Sequence, residues 1–219
     1  WCWFHMGEQF DAIADTGKVL KLDANNMDAL WLRGRAHYII GELETSLNHY
    51  RRALKSDPEH KGCKEMYRLV KKIADGLKKF EKAKAGGDHA KAVDWLLKVI
   101  SYDDDHRTIV PRAKLDLAIA YRRLKKYTDA KAAAENALQL DPSSAEAHKV
   151  LGMVLVDLED FDAAVAKLNK ARELDQNDRE IADELRKAEA ALKQSKQKDY
   201  YKILKVSRKA SSKEIKKAY

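Results

Sequence analysis

The side chains that could do covalent or metal chemistry in this chain are few and scattered. Cys2 and Cys63 lie far apart, without Cys-x-x-Cys or metal-ligand spacing, so two buried thiols and half of a larger disulfide pattern both remain open. The seven histidines occur singly, and residues such as His37 or His148 are more often packing or surface residues than catalysts. No His-Glu-x-x-His, Gly-rich phosphate loop or Gly-x-Ser-x-Gly motif is present. We therefore expect no enzyme, no metal and no cofactor.

The basic side chains are the remaining candidates for recognition chemistry, and their location decides the class of partner. The chain has 43 Lys and Arg against 35 Asp and Glu, a net charge of +8. Residues 198–219 hold eight basic residues against Asp199 and Glu214, a net +6, which leaves +2 for the other 197 residues. Neutralising nucleic-acid phosphates requires Lys and Arg spread along a face. We therefore assign the positive field to the C-terminal segment and expect no nucleic-acid binding.

Two short helices are predicted to position these basic side chains. Four apolar residues are spaced for a short helix packed on a second one: Tyr200, Tyr201, Ile203 and Leu204. Ser211 and Glu214 form a capping box that opens the second helix. The apolar residues of that helix that we expect to face inward are Ile215, Ala218 and Tyr219. Its basic outer face consists of Lys213, Lys216 and Lys217.

The rest of the chain repeats itself with a period of 34 residues. When 111–144 is aligned with 145–178, Ala118 meets Gly152 and Ala137 meets Ala171. Small residues at such positions let two helices approach closely. Nine Gly, three Pro and 36% charged residues are typical of helices on a solvated surface, and no stretch approaches 18 apolar residues, so no membrane span is predicted. The pattern resembles the tetratricopeptide repeat (TPR), which implies an all-α, helical-repeat superhelix.

The same template assigns most of the chain. It predicts a partial repeat over 1–26, repeats over 27–60, 73–106, 111–144 and 145–178, a lengthened inter-repeat helix over 61–72, and a capping or linker helix over 179–197. The repeat over 73–106 departs from the pattern, with Phe80 at the small eighth position and Ala83 at the bulky eleventh. Either the large Phe80 and the small Ala83 compensate for each other in volume, or the lengthened helix changes the position of the helix that packs on it.

The resemblance to TPR arrays implies which residues face the groove, since positions 2, 5, 9 and 12 point inward in that family. Modules that clamp chaperone carboxylates use Lys and Asn at positions 5 and 9, and only Lys149 matches here. A buried anion needs several donors, so we expect no carboxylate clamp. The inward set is instead largely apolar: Trp31, Leu77, Leu115, Ile119, Met153 and Val156. These residues either bind exposed apolar segments of unfolded clients or pack against adjacent helices.

The string from Asp199 to Tyr219 resembles the start of a J-domain, covering helix I and the beginning of helix II over 198–219. The family usually has Gly where Lys205 stands, so a different turn is possible there. The resemblance implies that the helix II lysines contact an Hsp70-class chaperone, and that four residues form the J-domain core: Tyr200, Tyr201, Leu204 and Ile215. Because the chain starts at Trp1 and stops before a His-Pro-Asp motif, we expect a fragment that does not itself stimulate the chaperone's ATPase.

An array of TPRs joined to a J-domain resembles the TPR–J co-chaperones of the endoplasmic reticulum. That resemblance implies binding of unfolded or misfolded client proteins by the array, and recruitment of the Hsp70-class chaperone BiP by the J-domain, in the lumen. The alternative is a cytosolic TPR–J adaptor that bridges Hsp70 and Hsp90. Because that type carries a carboxylate clamp, its absence favours the luminal type.

Overall fold

The computed structural model describes residues 9–196, 203–207 and 210–219, and these residues form helices and turns without a strand. The helices are α1 (Gln9–Leu22), α2 (Met27–Ile39), α3 (Leu43–Ser56), α4 (Lys61–Ala85), α5 (His89–Tyr102), α6 (Ile109–Arg123), α7 (Tyr127–Leu140), α8 (Ala145–Asp157), α9 (Phe161–Leu174), α10 (Arg179–Lys196) and α11 (Ser212–Ala218). From α1 to α10, each helix packs on the next in the chain. The predicted all-α repeat architecture is confirmed. In the part of the chain that the structure describes, no helix is long and apolar enough to cross a membrane.

Close approach of the two helices in a repeat depends on glycine at two of the predicted small positions. A Cβ atom on Gly34 would lie 2.7 Å from Cε1 of Tyr50, and one on Gly152 would lie 2.6 Å from Cγ of Leu168. Ser46 strengthens the first contact, because its hydroxyl donates a 2.7 Å hydrogen bond to the carbonyl oxygen of Gly34. The small residues therefore set the distance between paired helices, as the period of 34 indicated.

In the repeat over 73–106, the two helices approach each other just as closely, but the small residue at the contact lies one turn earlier than the eighth position. A Cβ atom on Gly76 would lie 2.6 Å from Cγ2 of Val99 on α5. Phe80, one turn later, is buried in the core with 3% of its surface exposed. The contact between α4 and α5 is thus made at Gly76, and the large ring at the eighth position fills the core beyond it.

The turns between paired helices share one backbone feature. The fifteenth residue of each predicted repeat has a positive φ: Gly41 (89°), Gly87 (72°), Lys125 (59°) and Glu159 (61°). This left-handed residue ends the first helix of the pair, as the hydrogen bonds from the Lys126 and Asp160 amides back to the Tyr121 and Leu155 carbonyls show. Two repeats therefore hold an ordinary L-residue where glycine fits without strain.

Two large hydrophobic clusters form most of the core, and α10 closes the second. The first centres on Leu30, Tyr50 and Val70, while the second runs from Leu96 through Leu151 to α10. The residues that α10 buries are Ile181, Leu185 and Ala188. An amphipathic helix covers the end of the array in this way, because the last repeat would otherwise expose its apolar side.

In the C-terminal segment, the predicted start of the second helix is observed, but the predicted burial of two of its residues is not. Both hydrogen bonds of the capping box between Ser211 and Glu214 are present, so that prediction is confirmed. Lys205 adopts φ 53°, the left-handed conformation that glycine favours. The expectation that Ala218 and Tyr219 face inward was wrong, because both are exposed. An apolar side of a helix is buried only where another element packs on it, and the described residues give these two no such cover.

Candidate functional site

A cleft of about 720 Å³ lies along α6, where α7 and α8 meet it. Its apolar lining consists of Pro111, Leu115, Ile119, Ala137, Leu140 and Ala147. Its charged rim consists of Lys84, Arg107, Arg112, Asp116, Asp141 and Glu146. We call this site the α6 cleft. It combines an apolar floor with a rim of both charge signs.

The structure brings together two of the six apolar residues predicted to line a groove. Leu115 and Ile119 lie one turn apart on α6, and both face the α6 cleft while packing on the second core cluster. The other four do not line this cleft. Trp31 and Leu77 are half-buried against the first cluster, Val156 packs against the second, and Met153 is half-buried. Packing against adjacent helices is therefore present for five of the six residues, while client binding by Leu115 and Ile119 stays a prediction.

Leu140 is a member of the cleft that the sequence reasoning missed. It lies at the end of α7 and half of its surface is exposed. The positions expected to face inward all belonged to the first helix of each repeat, so a residue of the second helix was not considered. A large apolar side chain next to the Asp-Pro turn was the available signal.

Asp116 places a carboxyl group with an altered acidity at the edge of the α6 cleft. Its side chain is mostly buried, and the Nζ atom of Lys84 lies 3.4 Å from its Oδ1 atom. Burial raises the pKa of Asp116 above its ordinary value, because the charged form loses hydration, although the Lys84 ammonium opposes this effect. Asp116 is therefore protonated at a higher pH than an exposed aspartate would be.

Lys149, the one residue that matched a carboxylate clamp, is already neutralised. Its Nζ atom lies 2.7 Å from Glu146, 2.8 Å from Glu180 and 3.3 Å from Asp178, and its side chain is 6% exposed. Burial alone would lower the pKa of Lys149, but the hydrogen bonds from Glu146 and Glu180 outweigh it and raise the pKa. An incoming carboxylate would have to displace these partners, so Lys149 joins α8 to α10 instead of presenting a free cation.

The loop of residues 103–108 fastens two distant parts of the array. Nε2 of His106 lies 2.9 Å from the carbonyl oxygen of Tyr38, and the Thr108 hydroxyl donates a 3.0 Å hydrogen bond to the carbonyl oxygen of Ile39. Nδ1 of His106 accepts hydrogen bonds from the Thr108 and Ile109 amides, so Nε2 carries the proton that it donates to Tyr38. The Tyr38 hydroxyl in turn donates to Asp103. The 103–108 loop is thus in structural contact with α2.

A second cleft of about 490 Å³ lies beside this loop. Its lining includes Arg35, Met66, Leu69 and Arg107. Arg107 also lines the α6 cleft, so one side chain of the 103–108 loop borders both spaces. The loop therefore positions a cation between two partly apolar surfaces.

The long helix α4 carries a positive charge that the sequence analysis did not locate. It contains nine Lys and Arg against three acidic residues, a net +6 that equals the net charge of residues 198–219. The expectation that the positive field belongs to the C-terminal segment alone was wrong. The sum over the other 197 residues concealed this helix, because acidic residues elsewhere in the array offset it.

The residues predicted to contact an Hsp70-class chaperone lie on α11. Lys213, Lys216 and Lys217 are exposed, and their spacing of three and four residues places them on one side of the helix. Of the predicted J-domain core, Leu204 and Ile215 are half-buried. Tyr200 and Tyr201 lie outside the described residues.

These features define a class of protein: an all-helical repeat array with an apolar cleft and charged faces. Among residues 9–196, 203–207 and 210–219, no cluster of three or more His, Cys, Asp or Glu side chains could hold a metal ion. The chain belongs to the tetratricopeptide repeat family, whose model matches residues 11–61 and 115–179. The stretch between the two matches contains most of α4, all of α5 and the 103–108 loop.

Several relatives carry DnaJ names. The chain is 39% identical over 95% of its length to the DnaJ protein P58IPK homolog of Arabidopsis thaliana, of which it covers 43%. It is 34% identical to the DnaJ homolog subfamily C member 7 homolog of Schizosaccharomyces pombe, with 92% of this chain and 42% of the relative covered. It is 32% identical to the DnaJ homolog subfamily C member 3 of Gallus gallus, with 100% of this chain and 43% of the relative covered. The chain thus spans less than half the length of these relatives.

Two solved structures are similar in fold and sequence. The crystal structure of the P58(IPK) TPR domain has a TM-score of 0.82 and 27% identity, with 90% of this chain and 55% of that chain covered. The first TPR of Spaghetti (RPAP3) bound to the HSP90 peptide SRMEEVD has a TM-score of 0.52 and 28% identity, with 56% of this chain and 94% of that chain covered.

Proposed function

We propose that this chain is the client-binding part of a co-chaperone in protein folding and quality control. The array binds unfolded or misfolded polypeptide segments through the α6 cleft. The C-terminal segment, as the start of a J-domain, recruits the Hsp70-class chaperone BiP in the lumen of the endoplasmic reticulum, and the full-length protein stimulates the ATPase of that chaperone. The chain itself catalyses no reaction.

The α6 cleft is the observation that carries this proposal. Leu115, Ile119 and Leu140 present apolar surface to water inside a concave site. Each 100 Å² of apolar surface removed from water contributes about 2.5 kcal/mol, so covering such a site with an apolar segment is favourable. An unfolded protein exposes apolar side chains along a polar backbone. The charged residues of the rim can form hydrogen bonds with that backbone and ion pairs with its charged side chains.

The C-terminal segment supports the Hsp70 part of the proposal. Lys213, Lys216 and Lys217 form an exposed basic side on α11, and an acidic surface of a chaperone would complement it. The DnaJ names of the relatives agree with such a partner.

A cytosolic adaptor that bridges Hsp70 and Hsp90 is the second candidate. The similarity to a TPR structure bound to an HSP90 peptide favours it. The three carboxylates around Lys149 oppose it, because a clamp needs free cations to receive the carboxylates of the chaperone's C-terminus.

The client-binding proposal is tested by aggregation of a chemically denatured model protein in the presence of the purified chain. We expect the chain to slow aggregation, and Leu115→Asp with Ile119→Asp to abolish most of this effect, because two carboxylates would enter the apolar floor. Leu174→Asp is the matched control, since Leu174 is 40% exposed and lies outside the cleft. Circular dichroism checks that all variants keep their helix content. Equal protection by the cleft variant and the control would refute client binding at this site.

The choice between the two candidates is tested with a labelled peptide ending in Met-Glu-Glu-Val-Asp. We expect no binding that depends on the terminal carboxylate, so the peptide and its C-terminally amidated form should give the same anisotropy curve. A tight, saturable interaction that amidation abolishes would instead support the cytosolic adaptor. In parallel, Lys213→Ala, Lys216→Ala and Lys217→Ala together should weaken association with BiP.

A further inference from the structure

The solvent side of α4 carries many basic side chains, with Glu65 and Asp75 between them. These residues, which we call the α4 basic face, are Lys61, Lys64, Arg68, Lys71, Lys72, Lys78, Lys79 and Lys82. They lie opposite the buried Val70, Ile73 and Ala74, and they form two groups, one from Lys61 to Lys72 and one from Lys78 to Lys82. At 1.5 Å per residue, the 25 residues of α4 extend for about 37 Å. The face shares no residue with the α6 cleft.

Most cations of this face have no ion-pair partner in the described part of the chain. Lys64 pairs with Glu59 at 2.8 Å and Lys78 pairs with Glu44 at 2.6 Å. The six basic residues without a carboxylate partner among the described residues are Lys61, Arg68, Lys71, Lys72, Lys79 and Lys82. Unpaired like charges on one helix side repel one another, so a surface of this kind is stabilised when an anion covers it.

At one end of the face, the side chain of Trp95 on α5 forms part of a small cavity. The Nζ atoms of Lys79 and Lys98 lie 4.3 Å and 4.5 Å from the centroid of its ring. A cavity of about 280 Å³ opens beside the ring, and Lys82, Lys91 and Asp88 also line it. Lys91 pairs with Asp88 at 2.8 Å, so Lys79 and Lys82 are the cations of the cavity without a carboxylate partner among the described residues. The ring holds the ammonium groups in place by cation–π attraction, so an anion would meet preorganised cations next to an apolar wall.

We propose that the α4 basic face, with the Trp95 cavity at one end, is a docking surface for an acidic polypeptide segment. A glutamate side chain fits the cavity, with its methylene groups on Trp95 and its carboxylate between Lys79 and Lys82. An extended segment of about 11 residues then spans the face, at 3.3 Å or slightly more per residue.

Two observations favour an acidic polypeptide over nucleic acid. The Trp95 ring is half-buried and contacted by two ammonium groups, so it offers no complete face on which a base could stack, whereas the part of the ring that lines the cavity suffices for a methylene chain. The face also consists of lysines with one arginine and is interrupted by Glu65 and Asp75, whereas phosphate recognition favours the planar fork of arginine along an unbroken track.

The test is fluorescence anisotropy of the whole chain with a labelled 12-residue peptide made of Glu-Glu-Leu repeats. Its matched control is the peptide in which every Glu is Gln. We expect saturable, salt-sensitive binding of the acidic peptide only. Lys79→Glu with Lys82→Glu should weaken it about tenfold or more, because attraction at two positions becomes repulsion. Trp95→Leu, which keeps an apolar side chain in place, should weaken it about threefold.

The control variant is Lys126→Glu with Lys193→Glu, which changes net charge equally at two exposed lysines that belong to neither proposed binding surface. We expect it to leave binding within about twofold, because those residues lie outside the face. An equal loss in both double variants would show a net-charge effect and would overturn the proposal. An oligouridylate of matched charge that binds as tightly as the acidic peptide, with the same loss in Lys79→Glu and Lys82→Glu, would overturn it in favour of nucleic acid. Because aggregation of denatured clients depends on the α6 cleft, it should be unchanged in Lys79→Glu with Lys82→Glu.

Discussion

Nζ of Lys149 on α8 lies 2.8 Å from Oε2 of Glu180 on α10, and this ion pair ties the last repeat to the helix that closes the array. Glu146 and Asp178 complete the group around the ammonium. The same lysine that would be a clamp residue in another TPR array is here a structural cation. Its role follows from its neighbours, since a lysine surrounded by three carboxylates has no charge to offer a ligand.

Replacing Lys149 with Met should destabilise the array. The thioether fills a similar volume, but the three carboxylates lose their shared cation and repel one another, so we expect a loss of about 2 kcal/mol in the free energy of unfolding at pH 7. The pKa of Asp178 is lowered, chiefly because hydrogen bonds and Lys149 outweigh the opposing effect of burial. A lowered carboxylate pKa contributes stability that is present above the unfolded-state pKa and lost as the pH falls. The difference in the free energy of unfolding between wild type and Lys149→Met should therefore become smaller at acidic pH.

Urea denaturation at pH 7 and at about pH 3, below the ordinary pKa of an aspartate, measures this difference. The control is Lys170→Met, which removes an exposed partner of Glu173 and should change stability by no more than about 0.5 kcal/mol. Equal stability of Lys149→Met and wild type at pH 7 would contradict a structural role for the ion group.

Replacing Glu159 with Gly should stabilise the protein. Glu159 has φ 61° in the turn between α8 and α9, where the equivalent residue of two other repeats is glycine. An L-residue pays about 1 kcal/mol or more for this conformation, while glycine loses some entropy on folding, so we expect a net gain of about 0.5 kcal/mol. The midpoint of thermal unfolding measures it. Glu159→Ala keeps the strain and should bring no gain, and a gain of the same size in that variant would rule out backbone relief.

Replacing Tyr38 with Phe should weaken the contact between α2 and the 103–108 loop. The hydroxyl of Tyr38 donates to the Asp103 carboxylate, and loss of a hydrogen bond to a charged group costs about 1.5 kcal/mol or more. Tyr127→Phe is the matched control, because Tyr127 is half-buried at the start of α7 and far along the chain from this loop.

The same pair predicts a pH dependence. Burial raises the pKa of Tyr38 above its ordinary value near 10, and the hydrogen bond to Asp103 raises it further. A group with a raised folded-state pKa contributes stability that is complete below its unfolded-state pKa and is lost as the pH rises. Wild type should therefore lose stability above about pH 10 faster than Tyr38→Phe, as chemical denaturation at pH 9 and pH 11 would measure. Parallel loss in both proteins would show that Tyr38 does not titrate in this way.

The sequence alone determined the helical class, the period of 34 residues and the capping box at Ser211, because these features depend on contacts between residues close in the chain or one repeat apart. The tertiary structure decided which residues are free to act. It moved the close approach of α4 and α5 to Gly76, surrounded Lys149 with carboxylates, and joined His106 to a carbonyl 68 residues earlier. It also placed only Leu115 and Ile119, of six apolar residues, in one cleft. Periodicity records which side of a helix is apolar, but whether a side chain stays exposed depends on the register in which distant helices pack.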